Sequence, residues 1–168
     1  MKLWIGVLSL STALLAGCAT TPADNGMPKD YSGPKATLTD SVKAEDGSKA
    51  QVFAVTSIDG VRVYNTPGAS RQASQGRGFA LTTNTVSRPV AARPLKVGLI
   101  ATHITAAPIH EIASRAAGTF FSVEGVVDFT PQADRSYVVR GELKAQGSLV
   151  WIEDSASGEV VTQKVGGK

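Results

Sequence analysis

The sequence predicts an all-β fold: a single antiparallel β-sandwich of about seven or eight strands with one short helix, preceded by a signal peptide and a flexible tether. From about residue 36 onward, short apolar runs rich in valine, isoleucine and aromatic residues alternate with turn residues. Only one stretch has the apolar spacing of a helix. The chain has 168 residues, a length that supports one domain with its own hydrophobic core.

The N-terminal residues have the pattern of an export signal. Met1 and Lys2 make a positive start, and the run from Leu3 to Ala13 is apolar except for two serines and a threonine. A membrane-spanning helix needs about 20 apolar residues, whereas a secretory signal peptide has a shorter apolar core. We therefore predict a signal peptide over residues 1–17.

The residues around the chain's only cysteine indicate the kind of signal. Leu15-Ala16-Gly17-Cys18 resembles the bacterial lipobox, in which the thiol receives a diacylglyceryl group and the chain is cut just before the cysteine. The resemblance implies that Cys18 is a lipid attachment site. Ala19 stands where an aspartate would signal inner-membrane retention, which by resemblance to sorted lipoproteins implies the outer membrane. We expect the periplasmic face, with exposure at the cell surface as the alternative. The alternatives are a chance cysteine in an ordinary signal and an uncleaved anchor.

Composition then divides the remaining chain in two. Residues 18–35 are rich in proline, glycine, aspartate and threonine, and we predict that they form a flexible tether behind the lipid anchor. Residues 36–168 form the predicted β-sandwich domain. This domain contains no cysteine, so in the oxidising periplasm it relies on its core and not on disulfides.

Each predicted strand is bounded by turn residues. Asp59-Gly60 separates two β-rich runs, and this dipeptide suits a hairpin because both central positions of a type I′ turn need positive φ. The C-terminal residues 148–165 are predicted to form a final hairpin. Alternation predicts three core-facing sets, namely Leu95, Val97, Leu99, Ala101 and His103; Phe121, Val123, Val127 and Phe129; and Tyr137, Val139 and Leu143.

Two stretches do not have a strand pattern. Residues 68–78 are predicted to be a polar loop that carries Arg71 and Arg77, the best candidates for a contact surface because arginine forks suit carboxylate and phosphate groups. Residues 107–118 are predicted to form the one short helix, with a proline at its start and a glycine at its end.

The charge of the chain is uneven. The formal net charge is +3, and removal of Lys2 with the signal peptide leaves 16 basic and 14 acidic side chains. The segment from Arg62 to Arg115 contains seven basic residues and a single acid, Glu111. A basic middle suits lipid phosphates or an acidic protein; the alternative is a solvated surface offset by neighbouring strands. The predicted location in the cell envelope excludes nucleic acid as a partner.

No motif predicts catalysis. The chain has only two histidines, His103 and His110, and Ser114 stands where the zinc motif H-E-x-x-H needs its second histidine. A zinc hydrolase needs three protein ligands and an open position, so a set of His103, His110 and Glu111 from separate elements is the metal alternative to structural roles for these residues. No nucleophile elbow or phosphate loop is present. We predict no enzyme activity, no cofactor and no metal.

Two resemblances concern the domain. The run "GTFFSVEGVVDFTPQADRSYVVRGEL" followed by "VWIEDSASGEVV" resembles members of a family of uncharacterised proteobacterial lipoproteins, over most of residues 36–165. More loosely, "IDGVRV" with the later "RPVAARPLKVGL" resembles PEGA-type and transthyretin-like sandwich domains of bacterial envelopes. These resemblances imply a β-sandwich and an envelope setting, and they supply no catalytic residues.

Together these patterns predict a non-catalytic outer-membrane lipoprotein. Its expected role is that of an accessory or adaptor module that binds another envelope protein. The alternative is direct binding of an anionic envelope polymer, peptidoglycan or lipopolysaccharide, and a lesser alternative is a metal-dependent hydrolase.

Overall fold

The computed structural model describes residues 26–166, in which ten strands form two sheets and two helices lie outside them. The predicted signal peptide, Cys18 and the predicted tether as far as residue 25 lie outside the described residues. The strands, in chain order, are β1 (Lys35–Thr39), β2 (Ser41–Ala44), β3 (Lys49–Ile58), β4 (Val61–Arg62), β5 (Ser87–Ala91), β6 (Leu95–Thr105), β7 (Ser122–Phe129), β8 (Ser136–Glu142), β9 (Leu149–Asp154) and β10 (Val165–Gly166). The helices are α1 (Thr66–Ser74) and α2 (Pro108–Ala116).

The two sheets face each other in a sandwich-like arrangement. The first has the strand order β10-β9-β8-β1-β5, and the second has the order β2-β3-β6-β7, with β4 also paired to β3. The prediction of a mostly β, sandwich-like fold is confirmed. Three details of it were wrong: the described residues contain ten strands and not seven or eight, they contain two helices and not one, and β1 pairs with β8 in parallel.

The core lies between the sheets and takes its side chains from both. Leu38, Val139 and Ile152 from the first sheet and Val97 and Leu99 from the second are fully buried in one cluster. Most members of the three predicted core-facing sets belong to this cluster, which confirms the predicted strand faces. Burial of this kind stabilises a fold by about 25 cal/mol for each Å² of apolar surface removed from water.

The predicted hairpin at Asp59-Gly60 is confirmed. These two residues have φ values of 49° and 81° and connect β3 to β4. Positive φ costs a glycine little, and aspartate tolerates it better than most residues. The turn closes one end of the sandwich, and Gly26 lies against the same end, because a Cβ on Gly26 would come within 2.9 Å of Ile58 and Val63.

Helix α1 replaces most of the polar loop predicted over residues 68–78. The side chain of Asn65 caps its N-terminus by accepting a hydrogen bond from the Gly68 amide at 3.2 Å, and Pro67 occupies its first turn. Its inward face consists of Thr66, Ala69, Ser70 and Ser74, which are buried. This face packs on the side of β3 away from the core.

The buried hydroxyls of α1 hold a neighbouring extended segment. Thr66 Oγ1 accepts a hydrogen bond from the Val86 amide at 2.9 Å, and Ser70 Oγ accepts one from the Asn84 amide at 3.0 Å. Ser74 Oγ accepts one from the amide two residues earlier in that segment, also at 3.0 Å. The helix is therefore attached by polar contacts to alternate amides of residues 82–86, and Ala69 is the apolar side chain of its buried face.

Candidate binding site

One end of the sandwich, which we call the α2 end, consists of α2, the last turn of α1 and the loop that follows α1. Backbone and side-chain contacts tie both termini of α2 to the start of β3: the Ala106 amide donates to the Ser48 carbonyl at 2.8 Å, and Lys49 Nζ donates to the Thr119 carbonyl at 2.7 Å. The helix predicted over 107–118 is confirmed at Pro108–Ala116. Gly118, at φ 66°, ends it.

The α2 end exposes large apolar side chains. Phe79 is 68% exposed, Ile109 is 57% exposed and Ile112 is 63% exposed. No residue of α2 is buried, although the two isoleucines lie on one side of the helix. The Phe79 ring contacts the His110 ring at a centroid distance of 5.2 Å, so Phe79 lies against α2 at this end of the domain. Clustered exposed apolar groups mark interaction sites more often than single ones do.

Arg71 and Arg77 lie at the same end. Arg71 is in the last turn of α1, and Arg77 is in the loop that follows; both are exposed. Within residues 26–166 neither side chain has an ion pair or a side-chain hydrogen bond, although the domain pairs most of its other basic residues. The structure thus brings the two predicted contact residues to the end of the domain that also exposes the apolar side chains.

A pocket opens between α1 and α2. Its volume is about 230 Å³, and its floor is the end of β6. The lining is part apolar and part charged, with Pro67, Leu81, Ile104, Pro108, Arg71 and Glu111 as its main side chains. Arg71 therefore borders the pocket as well as the exposed surface. Glu111 is already engaged, because Arg115 Nε and Nη2 both donate to its Oε1, at 2.9 and 2.8 Å.

The burial and hydrogen bonds of His103 are those of a residue with a structural role. Its ring is 4% exposed, Nδ1 accepts a hydrogen bond from the Phe121 amide at 3.0 Å, and Nε2 lies 3.0 Å from Glu45 Oε1. With Nδ1 as an acceptor, the proton on Nε2 points to Glu45. Burial opposes ionisation of Glu45, yet hydrogen bonds from Gln51 and His103 hold the pKa of this carboxyl below its ordinary value of 4.5.

The three residues of the metal alternative do not form a ligand set. His103 contacts Glu45 and the Phe121 amide, His110 contacts Phe79 with the two rings tilted by 36°, and Glu111 pairs with Arg115. In the part of the chain from residue 26 to residue 166, no three histidine, cysteine, aspartate or glutamate side chains lie close enough together to hold a metal ion.

Local sequence patterns did not predict the exposed apolar part of this site. The apolar spacing of Ile109 and Ile112 was visible, but such spacing ordinarily indicates a packed face. Phe79 had no periodic pattern around it. Exposure depends on what other elements cover, and local spacing carries no information on that.

Neither helix in the described residues is long and apolar enough to cross a bilayer. Comparisons with models of protein families, with curated proteins and with solved structures found no match to this chain. The resemblance to proteobacterial lipoproteins and to PEGA-type domains therefore stays a prediction.

Proposed function

We propose that this chain is an outer-membrane lipoprotein, anchored through Cys18, whose domain is a non-catalytic adaptor that binds another envelope protein with its α2 end. The observation that carries this proposal is that one end of the domain exposes three large apolar side chains together with two unpaired arginines. Protein interfaces combine apolar anchors with arginine and exclude water around them.

The position of the α2 end relative to the proposed anchor supports a partner away from the anchoring membrane. Strand β3 runs from the α2 end to the end where Gly26 lies, and its ten residues cover about 30 Å. The eight residue steps from Cys18 to Gly26 reach at most about 29 Å when fully extended. An anchor at Cys18 therefore holds the Gly26 end within about 29 Å of the lipid, and the α2 end, about 30 Å farther along β3, is able to face into the periplasm.

Direct binding of an anionic polymer is the second candidate, because Arg71 and Arg77 are unpaired and exposed. Exposed charges are screened beyond about 8 Å at physiological ionic strength, so binding that rests on these two charges falls steeply with salt. An interface centred on Phe79, Ile109 and Ile112 buries apolar surface and is far less sensitive to salt.

Photo-crosslinking in intact cells tests the proposal. One probe is placed at Gln75, which is exposed between the two arginines, and a matched probe is placed at Ala133, which is exposed near the opposite end. We expect a discrete adduct from Gln75 that survives high salt and none from Ala133. The adduct should disappear when Ile109 and Ile112 are replaced by serine, changes that cost little stability because both side chains are exposed.

Two outcomes overturn the adaptor proposal. A smear from Gln75 that muramidase releases would establish polymer binding. Equal adducts from both probes, or none from either, would show that the α2 end has no specific partner.

A further inference from the structure

The pocket between α1 and α2 has an uncompensated positive charge at its border. Of its two charged side chains, Glu111 is paired with Arg115, whereas Arg71 has no ion pair or side-chain hydrogen bond within residues 26–166. The pocket also opens at the N-terminus of α2, where Ala107 provides no side-chain cap. Glu111 lies in the first turn of α2 and offsets the partial positive charge of that N-terminus, so the positive charge left at the border is that of Arg71. The group that this pocket suits at its border is therefore negative.

About half of the pocket's lining is apolar, so the pocket can receive an apolar group. Pro67, Leu81, Ile104 and Pro108 contribute to its walls, and its volume of about 230 Å³ lies below the roughly 300–1,000 Å³ of pockets that hold whole small-molecule ligands. A space of this size suits one side chain of a protein partner. Binding hot spots have this form, an anchor side chain in a pocket surrounded by contacts that exclude water.

We propose that this pocket receives an apolar side chain from a partner protein, and that an acidic residue next to that side chain pairs with Arg71. This inference rests on the proposed adaptor function and specifies the chemistry of the partner. Arginine presents a planar fork that binds a carboxylate through two hydrogen bonds.

The surface around the pocket favours an internal segment of the partner over a chain terminus. Phe79 and Ile112 are exposed outside the pocket at the same end of the domain, and Arg77 supplies a second unpaired charge there. A continuous acidic and apolar segment contacts all of these groups, whereas a terminal residue uses the pocket alone.

Two blocked tetrapeptides test the proposal, acetyl-Ala-Leu-Asp-Ala-amide and its match acetyl-Ala-Leu-Asn-Ala-amide, which differ only by the carboxylate. They are titrated into the purified full-length lipoprotein in phosphatidylcholine nanodiscs, and the methyl resonance of Ile104 is followed by NMR. We expect a saturable shift with the aspartate peptide and about tenfold weaker binding of the asparagine peptide, because hydrogen bonds to charged groups are the stronger ones. Arg71→Gln should remove the difference between the peptides.

Arg62→Gln is the matched control, because Arg62 is also exposed and lies at the opposite end of β3. It should leave the difference between the peptides unchanged. Equal affinity of the two peptides, or no saturable shift of the Ile104 resonance, overturns the pocket proposal. If the Gln75 adduct in cells persists in Arg71→Gln, the proposed pairing of Arg71 with an acidic residue is wrong, but the adaptor function stands. If the peptides bind but no Gln75 adduct forms in cells, the adaptor function is wrong.

Discussion

Arg88 and Asp40 form an ion pair that is shielded from solvent: Arg88 Nη2 donates to both carboxylate oxygens of Asp40, at 3.0 and 3.1 Å, and the side chains are 2% and 0% exposed. Asp40 lies where the chain passes from β1 in one sheet to β2 in the other. Its oxygens also accept the amides of Val55 in β3 and Thr66 in α1. One carboxylate thus joins both sheets and the first helix.

Burial dominates the electrostatics of this pair. It raises the pKa of Asp40, while Arg88 and the two amides act in the opposite direction, and it lowers the pKa of Arg88. Removal of one partner leaves the other charge buried without compensation, which costs about 3–5 kcal/mol. We therefore expect Asp40→Ala to lower the free energy of unfolding by about this amount, measured by urea denaturation.

The exposed pair of Lys96 and Asp128, at 71% and 81% exposure, provides the control for this prediction. Asp128→Ala should cost less than about 1 kcal/mol. If Asp40→Ala does not fold, Asp40→Asn, which keeps an acceptor oxygen, serves instead and should be less destabilising. A loss below about 1 kcal/mol for Asp40→Ala would contradict the role of the pair.

Ser70→Ala tests the polar attachment of α1. Ser70 is fully buried, and its hydroxyl accepts the Asn84 amide. An unpaired buried donor costs about 1–3 kcal/mol, so the free energy of unfolding should fall by that amount and the Asn84 amide should exchange its hydrogen faster. Gln75→Ala, at an exposed position just after the same helix, should change stability by less than about 0.5 kcal/mol. Unchanged exchange at Asn84 would show that the hydroxyl contact contributes nothing.

Helix α1 could not be predicted from apolar periodicity. Its buried face consists of threonine, alanine and serine, so the apolar periodicity that predicted α2 has no counterpart here. Asn65 and Pro67 are an N-terminal signal that could have indicated a helix. This face of α1 is buried because its hydroxyls accept hydrogen bonds from amides of residues 82–86. Those amides lie farther along the chain, and no local pattern predicts the contact.

The strand faces were predictable for the opposite reason. Leu99 and Val127 belong to runs whose alternation has a period of two, which local sequence displays directly. The parallel pairing of β1 with β8 brings Leu38 opposite Tyr137, a contact across almost a hundred residues. Such pairings depend on the whole topology, and for the same reason the meeting of Arg71 with Pro108 at one pocket could not be predicted.

We expect the turn after β9 to make the free energy of unfolding depend on pH in the acid range, through Asp154. The amides of Ser157 and Ala156 donate to Asp154 Oδ1, both at 3.0 Å, and Arg135 pairs with Oδ2 at 2.8 Å. These contacts hold the pKa of Asp154 below its ordinary value of 3.8. A lowered pKa contributes stability that is present above the unfolded-state value and is lost as pH falls through the folded-state value.

We therefore expect Asp154→Asn to be less stable than the natural chain at neutral pH, with a difference that shrinks as the pH falls below about 4. Unfolding free energies across this range measure the effect. Asp128→Asn, at an exposed position, should show a smaller difference throughout. A constant gap between Asp154→Asn and the natural chain down to the lowest pH would contradict the electrostatic origin.

His103→Ala distinguishes a structural histidine from a metal ligand. The substitution leaves the Phe121 amide without its acceptor and Glu45 without its partner, so stability should fall by about 1–3 kcal/mol. A chelator should leave the thermal midpoint of the natural chain unchanged, and added zinc should not raise it. A zinc-dependent rise that vanishes in His103→Ala would instead establish a metal site.

Cys18→Ser tests the anchor independently of the binding surface. Thioether formation requires the thiol, so this variant should leave the membrane fraction and lose the mass of the diacylglyceryl group, as measured by cell fractionation and mass spectrometry of the N-terminal peptide. Each buried acyl CH₂ contributes about 0.8 kcal/mol, and one chain anchors only marginally, so complete release is expected once all chains are absent.

Ala19→Asp keeps the thiol and is the matched control: the protein should stay lipidated and shift to the inner membrane. If Cys18→Ser remains in the outer-membrane fraction, the apolar N-terminal run or the domain itself holds the protein there, and the length of chain between Cys18 and Gly26 no longer limits how far the domain lies from the lipid.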